Sequence, residues 1–213
     1  MATTRKTKQA EILREYGPYP GIDSVHGVTF DGAHVWFARG ESIVALDPGG
    51  GALVRELPVT AEGGTAFDGT YLWQLVGGRI QKVDPHSGQV VATLPAPAHG
   101  GDSGLTWAEG TLWVGEYRAR KIHQIDAETG AILRTIESDR FVTGVSWVNG
   151  ELWHATMEDE RSDIRRVDPA TGEVLERLEM PAGVVVSGLE ADRAGVFYCG
   201  GSSSGKVRAV RKP

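Results

Sequence analysis

The chain has 213 residues, a formal net charge of −6 and a single cysteine, Cys199. That length supports one sizeable core, the lone cysteine excludes an internal disulfide, and no apolar stretch reaches the length of a membrane span. The acidic balance, with Lys and Arg scattered, argues against nucleic acid as a partner.

Met1–Lys8, MATTRKTK, reads as a basic tail without the apolar segment of a secretory signal, so a soluble cytoplasmic protein is expected. Residues 10–16, AEILREY, match GALVREL at 51–57 position for position. From residue 27 onward the chain repeats itself. Gly27, Gly64, Gly104, Gly144 and Gly188 each open a copy, and nine residues later stands Trp36, Trp73, Trp113, Trp153 or Phe197. A third run opens at Ile43, Ile80, Ile122, Ile164 and Val207, and in the first four copies it closes on Asp47, Asp84, Asp126 and Asp168. A glycine four residues after each Asp leads a fourth run, ALVREL, QVVATL, AILRTI or EVLERL.

Four short β-rich runs in a unit of about 40 residues are the pattern of a propeller blade. The fifth copy lacks its fourth run, and AEILREY supplies it from the other terminus. The expected fold is all-β: one five-bladed β-propeller over 1–213, its last blade closed by the N-terminal strand. The blades fall at about 22–59, 60–97, 98–138, 139–181, and 182–213 with 9–17. Arg5, Lys6 and Lys8 are then expected beside Lys206, Arg208, Arg211 and Lys212 on blade five.

Loop lengths divide the two ends of the ring. Gly to aromatic is nine residues in all five copies, and the turn from the third run to the fourth is constant wherever it occurs. The second-to-third loop varies, from Trp36→Ile43 to Trp153→Ile164, and so do the segments between blades. Irregular loops on a regular scaffold carry binding groups, so the site belongs at the variable end. Asp23, His26, Glu62, Asp102, Ser103, Thr143 and Ser187 approach it from the innermost strands. Arg39, Gln74, Glu116, Tyr117, Arg118, His154, Met157, Tyr198 and Cys199 approach it from the ends of the second strands.

Bland readings compete. One tryptophan per blade at an equivalent position is packing between blades. The Asp turns lack the alternating oxygen ligands of a calcium loop and have a sufficient backbone reason. No Cys/His set has zinc spacing, so neither metal nor cofactor is expected, although sequence leaves open whether His26, His154, Glu62, Asp102 and Cys199 converge. His26 and His154 interrupt small or apolar positions of their repeats and read equally as packed core histidines.

Several segments resemble the glutamine cyclotransferases (glutaminyl cyclases), which are five-bladed propellers. Leu72-Trp73-Gln74-Leu75 is similar to that family's Leu-Tyr-Gln-Leu, Val148-Asn149-Gly150-Glu151-Leu152 to its Val-Asn-Gly-Glu-Ile, and Ser103-Gly104-Leu105-Thr106 to its Trp-Gly-Leu-Thr. The resemblance implies the fold and sets His26 where the family has a pocket glutamine. The family's Asn-Glu-Leu-Glu, which carries its catalytic acid, falls on Thr143-Gly144-Val145-Ser146, so glutamine cyclisation itself is not implied. A fainter similarity joins Leu112-Trp113-Val114-Gly115-Glu116 to the repeated Trp-Phe-Thr-Glu of virginiamycin B lyase-like propellers.

Two classes of function fit. The first is a monomeric enzyme performing a cyclisation or elimination on a small molecule by general acid–base chemistry. Its catalytic groups would be His26, His154 and Glu116, with Gln74, Tyr198, Asp102, Glu62, Arg39, Tyr117 and Arg118 binding substrate. The second is a non-catalytic propeller that binds a ligand or a protein with the same face.

Overall fold

The computed structural model describes residues 6–213, and these form 21 strands in five sheets around one axis, with no helix among them. Strand β1 is Lys6–Gln9 and β2 is Ile12–Tyr16. Blade one follows as β3 (Val28–Phe30), β4 (Val35–Ala38), β5 (Ile43–Leu46) and β6 (Leu53–Leu57). Blade two is β7 (Thr65–Phe67), β8 (Leu72–Val76), β9 (Arg79–Val83) and β10 (Val90–Pro95). Blade three is β11 (Asp102–Ala108), β12 (Thr111–Glu116), β13 (Lys121–Asp126) and β14 (Ile132–Glu137). Blade four is β15 (Phe141–Val148), β16 (Glu151–Glu158), β17 (Arg161–Val167) and β18 (Val174–Glu179). Blade five is β19 (Gly188–Ala191), β20 (Val196–Gly200) and β21 (Val207–Arg211), completed by β2.

The ring closes where the sequence says it should. Strand β2 runs antiparallel to β21, with Ile12 opposite Val210 and Tyr16 opposite Val207. The tail does more than expected, because β1 adds itself in parallel to β18 and turns blade four into a five-stranded sheet. This corrects the reading of 1–8 as a tail on blade five, so far as the described residues go; Arg5 lies outside them. Lys8 sits on blade four, 3.1 Å from Glu176. The C-terminal cations are neutralised one by one: Lys206 and Arg208 pair with Glu15, Arg211 with Glu11, and Lys212 with Glu151. Among the described residues these cations therefore form no continuous basic patch.

The repeated glycines have a steric cause. A Cβ on Gly64 would lie 2.4 Å from the Leu105 amide nitrogen, and one on Gly27 would lie 2.2 Å from the Gly63 carbonyl oxygen. Gly104, Gly144 and Gly188 meet the backbone of the next innermost strand in the same way. Five innermost strands converge on the axis, and only hydrogen side chains let their backbones approach so closely. This glycine ring separates an upper mouth, made by the variable loops, from a lower mouth, made by the constant turns.

The tryptophans are core. Trp36, Trp73, Trp113 and Trp153 are each at most 3% exposed, and Trp73 and Trp113 stack on Trp107 and Trp147 of the following blade. Three of their indole nitrogens find acceptors, as Trp36 donates to Asp31, Trp73 to Asp68 and Trp153 to Glu151. The Asp turns hold themselves: Asp47 accepts from the Gly49 and Gly50 amides, which keep its carboxyl below the usual range. The turn then leaves through Gly51 at φ +85°, a left-handed conformation that glycine adopts without strain.

Candidate functional site

The upper mouth opens into a cavity of about 430 Å³ lined by His26, Glu62, Asp102, Ser103, Glu116, Tyr117, Arg118, Thr143, Met157, Ser187 and Ser202, with neighbouring glycines and valines. Every one of these comes from a segment between blades, the start of an innermost strand, or the end of a second strand and the loop after it. The variable end of the ring is therefore the polar, concave end. Six of the ten residues singled out from sequence meet here: His26, Glu62, Asp102, Glu116, Tyr117 and Arg118.

His26 is half-buried just before β3, its Nε2 3.0 Å from the Ser24 hydroxyl. Burial pushes its pKa down, and the negative Glu62 nearby opposes that shift without cancelling it. The imidazole is thus neutral at neutral pH. Asp102 at the head of β11 is committed to its own loop, accepting from the Ala98 and Gly100 amides. Glu62 accepts from the Gly77 amide through one oxygen. Ser103 and Ser187 hydroxyls donate to backbone carbonyls of the adjacent blades, Val142 and Val25. Thr143 differs: it is 7% exposed, lines the cavity, and its buried Oγ1 has no hydrogen-bond partner among the described residues. A buried hydroxyl without a partner costs free energy unless something bonds to it.

The other four candidates lie elsewhere, each for a local reason. His154 is 1% exposed inside blade four, cross-strand from Arg165, and burial lowers its pKa to about 4. It faces the wall between blades three and four. Gln74 is fully buried with its amide spent on the Thr65 hydroxyl and the Gly63 and Leu75 carbonyls. Tyr198 packs its ring 5.4 Å from Phe30 between blades five and one, and burial raises its pKa to about 12. Arg39 turns outward to Glu56 and the Gly21 carbonyl. Cys199 is fully buried, with its thiol also pushed up to about 12 by burial, and so is inert packing.

One polar residue in contact with the cavity wall escaped the sequence reading. His123 on β13 is 7% exposed, with Nε2 3.2 Å from Glu116 and Nδ1 2.8 Å from the Thr135 hydroxyl. A signal was present in the repeats. The residue after the opening aliphatic of the third run is Val44, Gln81, His123, Arg165 or Arg208, polar in four copies of five. A polar residue recurring at a buried register position calls for a partner on the same sheet face. Among the described residues no three His, Cys, Asp or Glu side chains converge as metal ligands.

The lower mouth is larger, about 980 Å³, and lined by Phe30, Phe67, Trp107, Trp147 and the constant turns. Just inside it Glu190 of β19 is buried between blades. It accepts hydrogen bonds from the Thr29 and Ser146 hydroxyls, while burial raises its pKa to about 7.

Closed ring, four-stranded blades and a polar mouth built from irregular loops define a five-bladed β-propeller. Residues 76–212 match the PQQ_2 family model, described as outer membrane protein assembly factor BamB. The chain belongs to that propeller family. No curated protein sequence matches it. Among solved structures it is similar to the Myxococcus xanthus glutaminyl cyclase, at 19% identity, TM-score 0.79 and 97% coverage of both chains. It is also similar to the Staphylococcus aureus virginiamycin B lyase, at 18% identity, TM-score 0.52 and 94% of this chain against 70% of that one. The WD40 β-propeller domain of Doa1 aligns at 19% identity and TM-score 0.56, over 87% of this chain and 63% of that one. At these identities the likeness is one of fold.

Proposed function

We propose that this propeller is an enzyme that binds a small polar molecule in the upper axial cavity and transforms it by general acid–base chemistry, in a cyclisation or an elimination. The observation that carries the reading is the gathering of His26, Glu62, Glu116, Tyr117 and Arg118 around one cavity in which the Thr143 hydroxyl is buried without a partner. His26 is the base. Its depressed pKa keeps the ring neutral near pH 7, and a neutral imidazole is ready to take a proton. Glu116, across the mouth on blade three, is the complementary group. Arg118 and Tyr117 offer a cation and a phenol to hold substrate, and Thr143 offers a hydrogen bond from the wall. The similarity in fold to a glutaminyl cyclase and to a virginiamycin B lyase supports this reaction class. The Thr143-Gly144-Val145-Ser146 segment, which has no carboxylate, speaks against glutamine cyclisation as such. We place the protein in the cytoplasm as a monomer.

The test starts from a thermal-shift screen of metabolites, followed by turnover assays on those that bind. His26→Ala is expected to keep the melting temperature and to lower turnover by roughly 10²–10⁴-fold, as for loss of one general acid–base group. Unchanged turnover would remove His26 from the mechanism. Binding without turnover for every hit would favour the non-catalytic ligand-binding propeller.

A further inference from the structure

Blade three contains a line of polar groups that crosses it from the axis to the outer surface. Glu116, on β12, lines the upper cavity with its side chain 25% exposed. Its Oε2 lies 3.2 Å from Nε2 of His123 on β13, and Nδ1 of that ring lies 2.8 Å from Oγ1 of Thr135 on β14. Thr135 stands exposed on the outermost strand. The register produces this line: His123 is directly opposite both Val114 and Thr135, and Glu116 is the diagonal neighbour two residues beyond Val114. All three therefore share one sheet face. On that face blade two packs Leu75, Ile80, Leu94 and Ala96 against Val114, an apolar cover. The charged strand neighbours of Glu116 are Asp102 and Lys121, and Lys121 is opposite Glu137.

The geometry points to a proton path between the cavity and bulk water, Glu116 to His123 to Thr135, in which His123 is a positioning and relay residue that resets Glu116 between turnovers. The inference rests on Glu116 taking part in the acid–base chemistry proposed above. With Glu116 ionised, His123 carries its proton on Nε2 and donates it to the carboxylate, while Nδ1 accepts from the Thr135 hydroxyl. When Glu116, as the acid complementary to His26, has given its proton to substrate, Nε2 passes its proton to the carboxylate. Nδ1 takes the hydrogen of the Thr135 hydroxyl, and Thr135 Oγ1 takes a proton from water. His123 and Thr135 each end with as many protons as they began with, the ring's now on Nδ1, and Glu116 is a carboxylic acid again. A cavity occupied by substrate blocks direct exchange of Glu116 with solvent, and a lateral path removes that restriction.

The decisive measurement needs no substrate, so its failure and the failure of the enzymatic reading register separately. Protein labelled with ¹⁵N-histidine reports ring tautomers directly, and the His123 resonances are assigned by their loss in H123Q. A single tautomer with the proton on Nε2 is expected at neutral pH in the wild type and in T135S, which keeps the hydroxyl. In E116Q and in T135V the His123 shifts are expected to move toward a mixture of tautomers. Circular dichroism melts accompany each variant, and Thr135 is exposed, so T135V keeps its fold. His123 shifts unchanged from wild type in either E116Q or T135V overturn the path, because one end of it is then uncoupled from the ring. With an assayable substrate in hand, T135V is further expected to slow turnover about tenfold and T135S to leave it at the wild-type rate; equal rates for the two overturn the path.

Discussion

The two mouths of the ring are built by the same five strands and differ in every property that bears on function. At the upper mouth the chain leaves the sheets in loops of unequal length, and polar side chains from all five blades face a cavity of about 430 Å³. At the lower mouth the turns are constant, and aromatic side chains fill the wedge between blades, as Trp107 does on Trp73 and Trp147 on Trp113. The lower cavity is the larger of the two, at about 980 Å³, so size is a poor guide to chemistry here. Aromatics at the lower end are stacked and serve packing, whereas the upper end keeps an unpartnered hydroxyl and a neutral imidazole. Stacked aromatics are concentrated at one end of the axis and polar cavity groups at the other, with the glycine ring between them.

The most damaging way to break this division is at the ring itself. Gly64→Val sets a branched side chain where even a Cβ would lie 2.4 Å from the Leu105 nitrogen. Backbone cannot give way as a flexible side chain does, so a cost above the usual ~1–3 kcal/mol of overpacking is expected. The predicted outcome is loss of soluble folded protein by circular dichroism. Gly101→Ala, whose Cβ would meet nothing nearer than 3.5 Å, should melt like the wild type.

Next in size is the lower mouth. Trp107→Ala removes the stack on Trp73 and is expected to cost about 3 kcal/mol. For a chain of this length that lowers the melting temperature by roughly 6–12 °C. A drop below about 2 °C in calorimetry would show that the lower aromatics are not packing, and the contrast between the ends would fail.

A pH dependence sharpens the comparison further. The Glu190 carboxyl is raised by burial from its ordinary value of 4.5 to about 7. Between those two values the folded protein holds a proton that the unfolded chain has lost. This contribution to stability is therefore complete below pH 4.5 and declines as pH rises through 7. Its size is on the order of 3 kcal/mol. Glu190→Gln, which still offers an oxygen to Thr29 and Ser146, should melt higher than the wild type at pH 8 and about equally at pH 4.5. Parallel melting curves across that range would contradict the assignment. His154 acts with the opposite sign. Its pKa is depressed to about 4, so the stability of the neutral ring is present above pH 6.5 and is lost as pH falls through 4.

The smallest expected effect is at the upper mouth. Glu62→Gln and Arg118→Ala change exposed groups at the cavity rim and should alter stability by no more than about 0.5 kcal/mol. Ligand binding in a thermal-shift titration should weaken all the same. A large change in melting temperature from either would assign the upper rim to the scaffold.

Much of this was written in the order of residues. Identical spacing from glycine to aromatic in five copies determined the blade, the blade count and the packing role of the tryptophans. The match of AEILREY to GALVREL determined the closure, because a strand that repeats the outer-strand pattern has one vacant edge to fill. Unequal loop lengths identified the end that carries the polar cavity, since loops of a repeat vary only where they are not packed against their neighbours. What sequence did not determine was the direction in which each side chain leaves its strand at the point where regular pairing ends. His154 and Gln74 stand one residue past the aromatic of their copies, yet both turn into the wall of a blade rather than into the cavity. Thr143 sits at an irregularity of the β15–β16 register, where the alternation of faces is broken. His123 meets Glu116 only because antiparallel register sets it diagonal to Glu116, a relation between strands that no single run contains. Periodicity along the chain is local and is fixed by the repeat. Which polar groups meet depends on register, twist and burial across strands, and those are decided only when the ring closes.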